Sequence, residues 1–291
     1  MKKIILVISA MALCATMSFA QSFESATQKA TDANNALMAG DTQTAVDSFK
    51  AAMEEAAQCT EEGAAELIEN CKKGIVSAYY NAANSLISEN RLDEAIESLK
   101  NTIASAQEYA DEEMAAKADE KKTQVHQQIA NLSMKAAQSA ADASAKAEAY
   151  KKALANIEEV IAADAENAKA VFQKGQILSS LGKTEEAAEA FIVAKEKGMA
   201  DQADKQLSNL YTKVANAAYK AGNFKECIAA ADKANSYLEN ANAYKIAGNA
   251  AYKAKDFKTA VANLSKYLEL SPNAKDAETM QKVIDFCKAQ K

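Results

Sequence analysis

The sequence predicts an all-α protein that stacks helix pairs side by side, and three observations predict it. Apolar residues make up 49% of the chain but aromatics only 6%, with Ala dominant, which suits closely packed helices and leaves a β-sheet short of its usual side chains. Eight Gly and one Pro in 291 residues are too few turn-formers for a sandwich or an α/β fold. Small residues also recur at a fixed place in successive segments, which fits an elongated array better than a single core of about 100–200 residues.

Residues 1–20 read as a signal peptide. Lys2 and Lys3 precede an apolar run from Ile4 to Met17, and Ser18-Phe19-Ala20 puts small residues at −3 and −1 before Gln21. The run is shorter than the ~20 apolar residues of a spanning helix, so no stable membrane span is expected once the leader is gone. Leu13 stands before Cys14 where lipid attachment needs a small residue. The expectation is export, with the periplasm as destination and secretion as the alternative. Of 34 basic residues two leave with the leader, so 32 remain against 40 acidic ones. That balance opposes nucleic acid as a partner, because its phosphates would be repelled. Arg91 is the one Arg, and Arg is the side chain best suited to bidentate phosphate contacts.

Segments around Gly40, Asn90, Glu148, Gly182, Gly222 and Lys255 align as six helix–turn–helix units. Where the two helices of a unit cross, the sequence reads Ala45, Ala95, Ala153, Ala187, Cys227 and Ala260, since a larger side chain would push them apart. Four residues on, Phe49, Leu99, Ile157, Phe191, Ala231 and Leu264 fill the groove to the next unit. Turns from Glu148 onward are 34, 40 and 33 residues apart, but Gly40 to Asn90 is 50 and Asn90 to Glu148 is 58. The extra residues keep one apolar face at Met114, Ala118, Val125, Ile129 and Leu132. Thr60-Glu61-Glu62 and Asp111-Glu112-Glu113 read as helix starts, so the first helices of the second and third units are expected to be long. The organisation that follows is an N-terminal helical region over 21–133, a regular array over 134–274 and a capping helix over 275–291. The apolar face of that last helix is Ala277, Met280, Ile284 and Cys287.

The unit from Asn242 to Ala274 resembles the tetratricopeptide repeat (TPR). Tyr244 stands at the large fourth position, Gly248 at the small eighth and Tyr252 near the end of the first helix. Asp256-Phe257 follows the turn, Ala260 and Leu264 take the twentieth and twenty-fourth positions, and Ser271-Pro272-Asn273 closes the unit. Five of the eight glycines (Gly40, Gly175, Gly182, Gly222 and Gly248) and the sole Pro fall where the repeat favours them. The resemblance covers most of the chain beyond the leader. It implies a right-handed α-solenoid, here with longer helices in the N-terminal half, that serves as a non-enzymatic protein-interaction scaffold.

Nothing in the sequence reads as catalytic. His126 is the single His, so no His–His or Glu–His metal pairing can form, and no glycine-rich phosphate loop exists. Adjacent carboxylates such as Glu61-Glu62 and Glu158-Glu159 point about 100° apart on a helix and read as solvated faces. No enzyme activity, metal or cofactor is therefore expected. Four cysteines follow the leader. Cys59 and Cys71 could form a disulfide across the first long hairpin if its tip lies near Ala65, whereas a tip at Thr60 sets them too unevenly along its arms. Cys227 and Cys287 read as core residues.

In repeats of this kind the first helix of each pair lines the concave face. The ninth position reads Asn34, Asn84, Asp142, Gln176, Asn216 and Asn249, mostly amides that both donate and accept along an extended backbone. The resemblance implies peptide-binding residues Asn84, Asn216, Tyr219, Lys220, Lys245, Asn249, Tyr252 and Lys253, a locally basic and partly aromatic trough for an acidic or C-terminal segment of a protein partner. The carboxylate clamp of some family members is not matched, because Ile246 stands where it needs Asn and no Arg follows. The alternative is a structural spacer or self-associating helical protein with no groove ligand.

Overall fold

The computed structural model describes residues 23–290, and their regular structure is all helical: α1 (23–38), α2 (Thr42–Ala56), α3 (Ala64–Ser88), α4 (Leu92–Glu108), α5 (Glu112–Ser139), α6 (Ala143–Ala163), α7 (Ala168–Ser180), α8 (Thr184–Glu196), α9 (Ala200–Lys220), α10 (Phe224–Tyr237), α11 (Ala241–Lys253), α12 (Phe257–Leu270) and α13 (Ala277–Ala289). The predicted leader lies outside the described residues. No helix among the described residues is long and apolar enough to cross a membrane.

The chain divides between Ile129 and Ala130, inside α5, into two compact units. In the first, α2 packs on α3 and α3 on α4. One core there gathers Phe49, Cys71 and Ile75, another Leu99, Val125 and Ile129. In the second unit each helix from α6 to α12 packs on its successor, and α9 also touches α11 directly.

The turns explain why so few glycines suffice. Gly40, Asn90, Ala110, Gly182, Gly198, Gly222 and Lys255 all adopt left-handed backbone, with φ between +58° and +99°. At each, two amides fold back onto the last carbonyls of the preceding helix; Gly40 N–H reaches the Leu37 carbonyl at 3.1 Å and Asp41 N–H that of Ala36 at 2.9 Å. The following helix is then capped by a short polar side chain in several cases. Asp41, Asp142, Asn167 and Asp256 each accept the amide three residues on.

Packing follows the periodic small residues. Ala45, Ala95, Ala153, Ala187, Cys227 and Ala260 are all 0% exposed, and the bulky residues four places on are buried beside them. A Cβ on Gly175 would stand 2.7 Å from the Phe191 ring, and one on Gly248 would stand 2.6 Å from Leu264 Cγ. Gly74, which sequence reasoning passed over, is held in the same way against Phe49. The capping helix α13 lays Met280 and Ile284 on Leu264 and Tyr267, and Cys287 on Ala251 and Ala260.

Two expectations need correction. The third turn is not at Glu148, which lies inside α6 and pairs with Lys151 at 2.7 Å. The chain turns at residues 140–142, where an Ala-rich run carries no Gly to betray it, and Asp142 caps α6 through Ala145 N–H instead of facing a groove. Leu132 does not extend the apolar face of α5, being 44% exposed. Cys59 and Cys71 are not joined by a disulfide, as a hairpin tip at Thr60 implies. Their hairpin turns over residues 57–63, centred on Thr60, which leaves Cys59 in the loop and Cys71 inside the core. The 40 residues between Gly182 and Gly222 accommodate a 21-residue α9.

Candidate functional site

A polar cleft lies between α9 and α11, the first helices of two successive pairs. Its volume is about 360 Å³. α9 contributes Thr212, Lys213, Asn216 and Tyr219, and α11 contributes Asn242, Lys245, Ile246 and Asn249. The core behind it is made of Ala215, Ala218, Ala243, Ala247 and Ala250, with Cys227, Ala230, Ala231 and Ala234 from α10. Methyl-sized side chains let the backbones approach closely, so the two polar rows face each other across a narrow floor.

Asn240 sets the start of one wall. Its Oδ1 accepts the amides of Asn242 at 3.0 Å and Ala243 at 3.3 Å, while its Nδ2 donates to Ser208 Oγ at 3.4 Å and Thr212 Oγ1 at 3.3 Å. Ser208 in turn donates to the Leu238 carbonyl at 3.0 Å. Asn240 thus caps α11 and ties it to α9. The signal for it was in the sequence, as an Asn directly before an Ala-rich helix.

The expected site residues do not all converge. Asn216, Tyr219, Lys245 and Asn249 line the cleft. Lys220 and Lys253 are exposed in the last turns of α9 and α11, where a cation complements the helix carbonyl end, and they are not part of the lining. Tyr252 packs edge-on against Phe286 of the capping helix at 6.0 Å between ring centres. Asn84 sits on α3 in the first unit, half-buried, its carbonyl accepting from Ser88 Oγ at 3.0 Å.

The trough is also less basic than the sequence implies. Lys245 Nζ meets Asp276 Oδ2 at 2.5 Å and lies 5.4 Å from the centre of the Tyr267 ring. Tyr267 donates its hydroxyl to Asp276 Oδ1 at 2.6 Å. The Asp276 hydrogen bond raises the Lys245 pKa, and the bonds from Lys245 and then Tyr267 hold the Asp276 carboxyl below its ordinary range. Lys213 is the cation of the cleft with no ion-pair partner among the described residues. No carboxylate lines the cleft.

A second cleft of about 490 Å³ within the same unit lies between α5 and α7. Asn131, Gln138, Gln173 and Gln176 supply amides, Lys135 and Lys169 cations, and Met134, Phe172 and Met199 an apolar wall. Gln173 Nε2 donates to Asn131 Oδ1 at 2.9 Å. Of these, the sequence singles out Gln176 alone, and a turn placed at Glu148 hides the wall that α5 supplies.

Burial alone pushes the Cys71 and Cys287 thiols up and the Cys227 thiol to about 11, so these sulfurs stay protonated and packed. Among the described residues no group of three or more His, Cys, Asp or Glu is placed to hold a metal ion.

Paired helices joined by left-handed turns, with small residues at every crossing, define a helical-repeat protein. Two stretches, residues 76–109 and 168–192, match the family model described as tetratricopeptide repeat. Those two stretches are tetratricopeptide repeats by that match. No curated protein matches it. Among solved structures it is similar to the C-terminal part of a TPR protein from Cytophaga hutchinsonii, at 14% identity and a TM-score of 0.41, over 85% of this chain and 97% of that one. It is similar to MamA at 17% identity and a TM-score of 0.36, over 70% and 94%. YrrB, a TPR protein with an unusual peptide-binding site, shares 19% identity at a TM-score of 0.31, over 76% and 98%.

Proposed function

We propose that this protein is a non-enzymatic interaction scaffold of the bacterial cell envelope, exported by its leader, that holds an extended acidic segment of a partner protein between α9 and α11. One observation carries the reading. In a chain with 40 acidic and 34 basic residues, this cleft sets Asn216 opposite Asn249, adds Lys213 and Lys245, and has no carboxylate in its lining. Amides on both walls can satisfy the donors and acceptors of an extended backbone, and the ammonium groups favour acidic side chains along it. The run from Lys2 to Ala20 supports the envelope location.

The test is site-specific photo-cross-linking in producing cells. A cross-linker replacing Asn242, at the edge of the cleft, should capture a protein, whereas one replacing the exposed Ala229 on α10 should not. Combining Asn216→Ala with Asn249→Ala should weaken capture about tenfold or more, from the loss of two hydrogen-bonding side chains. Equal capture from both faces, or adducts made only of two copies of this chain, would replace the reading with that of a self-associating spacer.

A further inference from the structure

Asp276 stands at the N-terminal cap position of α13 but makes no side-chain cap bond to its own helix. An aspartate there ordinarily accepts an amide of the first turn. Here both carboxylate oxygens are directed elsewhere, one to the Lys245 ammonium at 2.5 Å and the other to the Tyr267 hydroxyl at 2.6 Å. Lys245 is also part of the cleft lining, on α11, whereas Tyr267 belongs to α12. A single carboxylate therefore ties the capping helix to a side chain of the groove. The Tyr267 ring is packed in place at 7% exposure, while the side chains of the ion pair stay open to water, Lys245 at 33% and Asp276 at 31%. An ammonium beside a fixed phenol hydroxyl is a complete receptor for one carboxylate, whichever chain supplies it.

We infer that Asp276 is an internal occupant of a carboxylate subsite formed by Lys245 and Tyr267, and that an acidic side chain of a segment bound between α9 and α11 exchanges with it and loosens α13. This rests on the groove reading and adds regulation to it: ligand binding and docking of the capping helix draw on the same lysine. The coupling is reciprocal, so whatever holds α13 down weakens the ligand, and the ligand frees α13. The chemistry is specific to carboxylates; a neutral segment of equal length has nothing to exchange.

The experiment uses the full chain and a fluorescein-labelled ten-residue peptide of alternating Ala and Glu as probe. Asp276→Asn keeps an acceptor for Tyr267 and removes the competing charge, and it should bind the probe about threefold tighter, the range expected of a partly exposed ion pair. The same substitution in a Lys245→Met background should bring no gain. Hydrogen exchange of the α13 amides in the unsubstituted protein should rise when the probe saturates it, and should not rise with an Ala-Gln peptide of the same length. Equal affinity of the unsubstituted protein and Asp276→Asn, with binding still lost in Asn216→Ala/Asn249→Ala, overturns the exchange and leaves the groove reading standing. A gain that persists without Lys245 also overturns it, as a general charge effect. A probe that binds none of these proteins overturns the groove reading and the exchange together.

Discussion

The junction of α9, α10 and α11 and that of α7, α8 and α9 follow one plan with different side chains. The first is filled by Ala and Cys227 alone among its buried apolar residues. The second holds Leu178, Phe191, Leu207 and Leu210 among its alanines, and Phe191 fits only because Gly175 has no Cβ. The consequence is spacing. α9 touches α11 across the alanine junction, while α7 and α9 make no comparable contact. Bulky residues keep the first helices of neighbouring pairs apart, and methyl groups let them close up until their polar rows form the walls of one cleft. The cleft of this unit forms where the core is thin.

That contrast is sharpest when each core is altered in the direction it can least absorb. Phe191→Ala should cost about 3–5 kcal/mol in urea denaturation, because it leaves a ring-sized void beside Gly175 that close-packed helices cannot collapse into. It should leave the affinity of the α9/α11 cleft for the acidic probe peptide unchanged. Ala247→Leu is the converse. Residue 247 is 0% exposed among methyl groups, and the added side chain should cost about 1–3 kcal/mol and force α9 from α11. Probe binding should then fall at least about tenfold, since the facing amides no longer span one backbone. If Phe191→Ala abolished binding as well, the cleft would not be governed by its own junction.

The parts of this architecture that were legible in the sequence are those written locally. Gly40, Gly182 and Gly222 announce left-handed turns, and Asn90 and Lys255 were placed at turns by alignment alone, where the structure shows φ of 60° and 61°. The small residues from Ala45 to Ala260 were readable because one steric demand recurs at every crossing. What stayed hidden is nonlocal or lacks a marker. The turn at 140–142 has no Gly, so it was assigned to Glu148, and with it went Asn131 and the α5 wall of the second cleft. Four of the eight expected site residues, Asn216, Tyr219, Lys245 and Asn249, come together along one cleft. Lys245 nevertheless reads as a free cation until the chain folds Asp276 onto it, 31 residues away in sequence. Tyr252 reads as groove aromatic until Phe286 covers its edge.

The smallest effect compares two turns of the second unit, one inside the alanine junction and one just beyond it. Asp256 and Asn223 hold the same place, directly before α12 and α10, yet only Asp256 accepts a cap bond, from Thr259 N–H at 3.1 Å. Asn223 instead donates to Glu226 Oε2 at 3.3 Å. Asp256→Ala should therefore cost about 1 kcal/mol at pH 7 and Asn223→Ala close to nothing. The hydrogen bonds from the Thr259 side chain and amide hold the Asp256 carboxyl below its ordinary range. With the folded pKa below the unfolded one, the contribution is complete above the usual aspartate range of about 4 and is lost as pH falls through the folded value. The difference between Asp256→Ala and the unsubstituted protein should thus shrink in denaturation series below about pH 4, while Asn223→Ala stays flat. Equal costs at the two positions would mean that the turns are set by the left-handed residues alone, with the caps contributing nothing to how one pair of helices leads into the next.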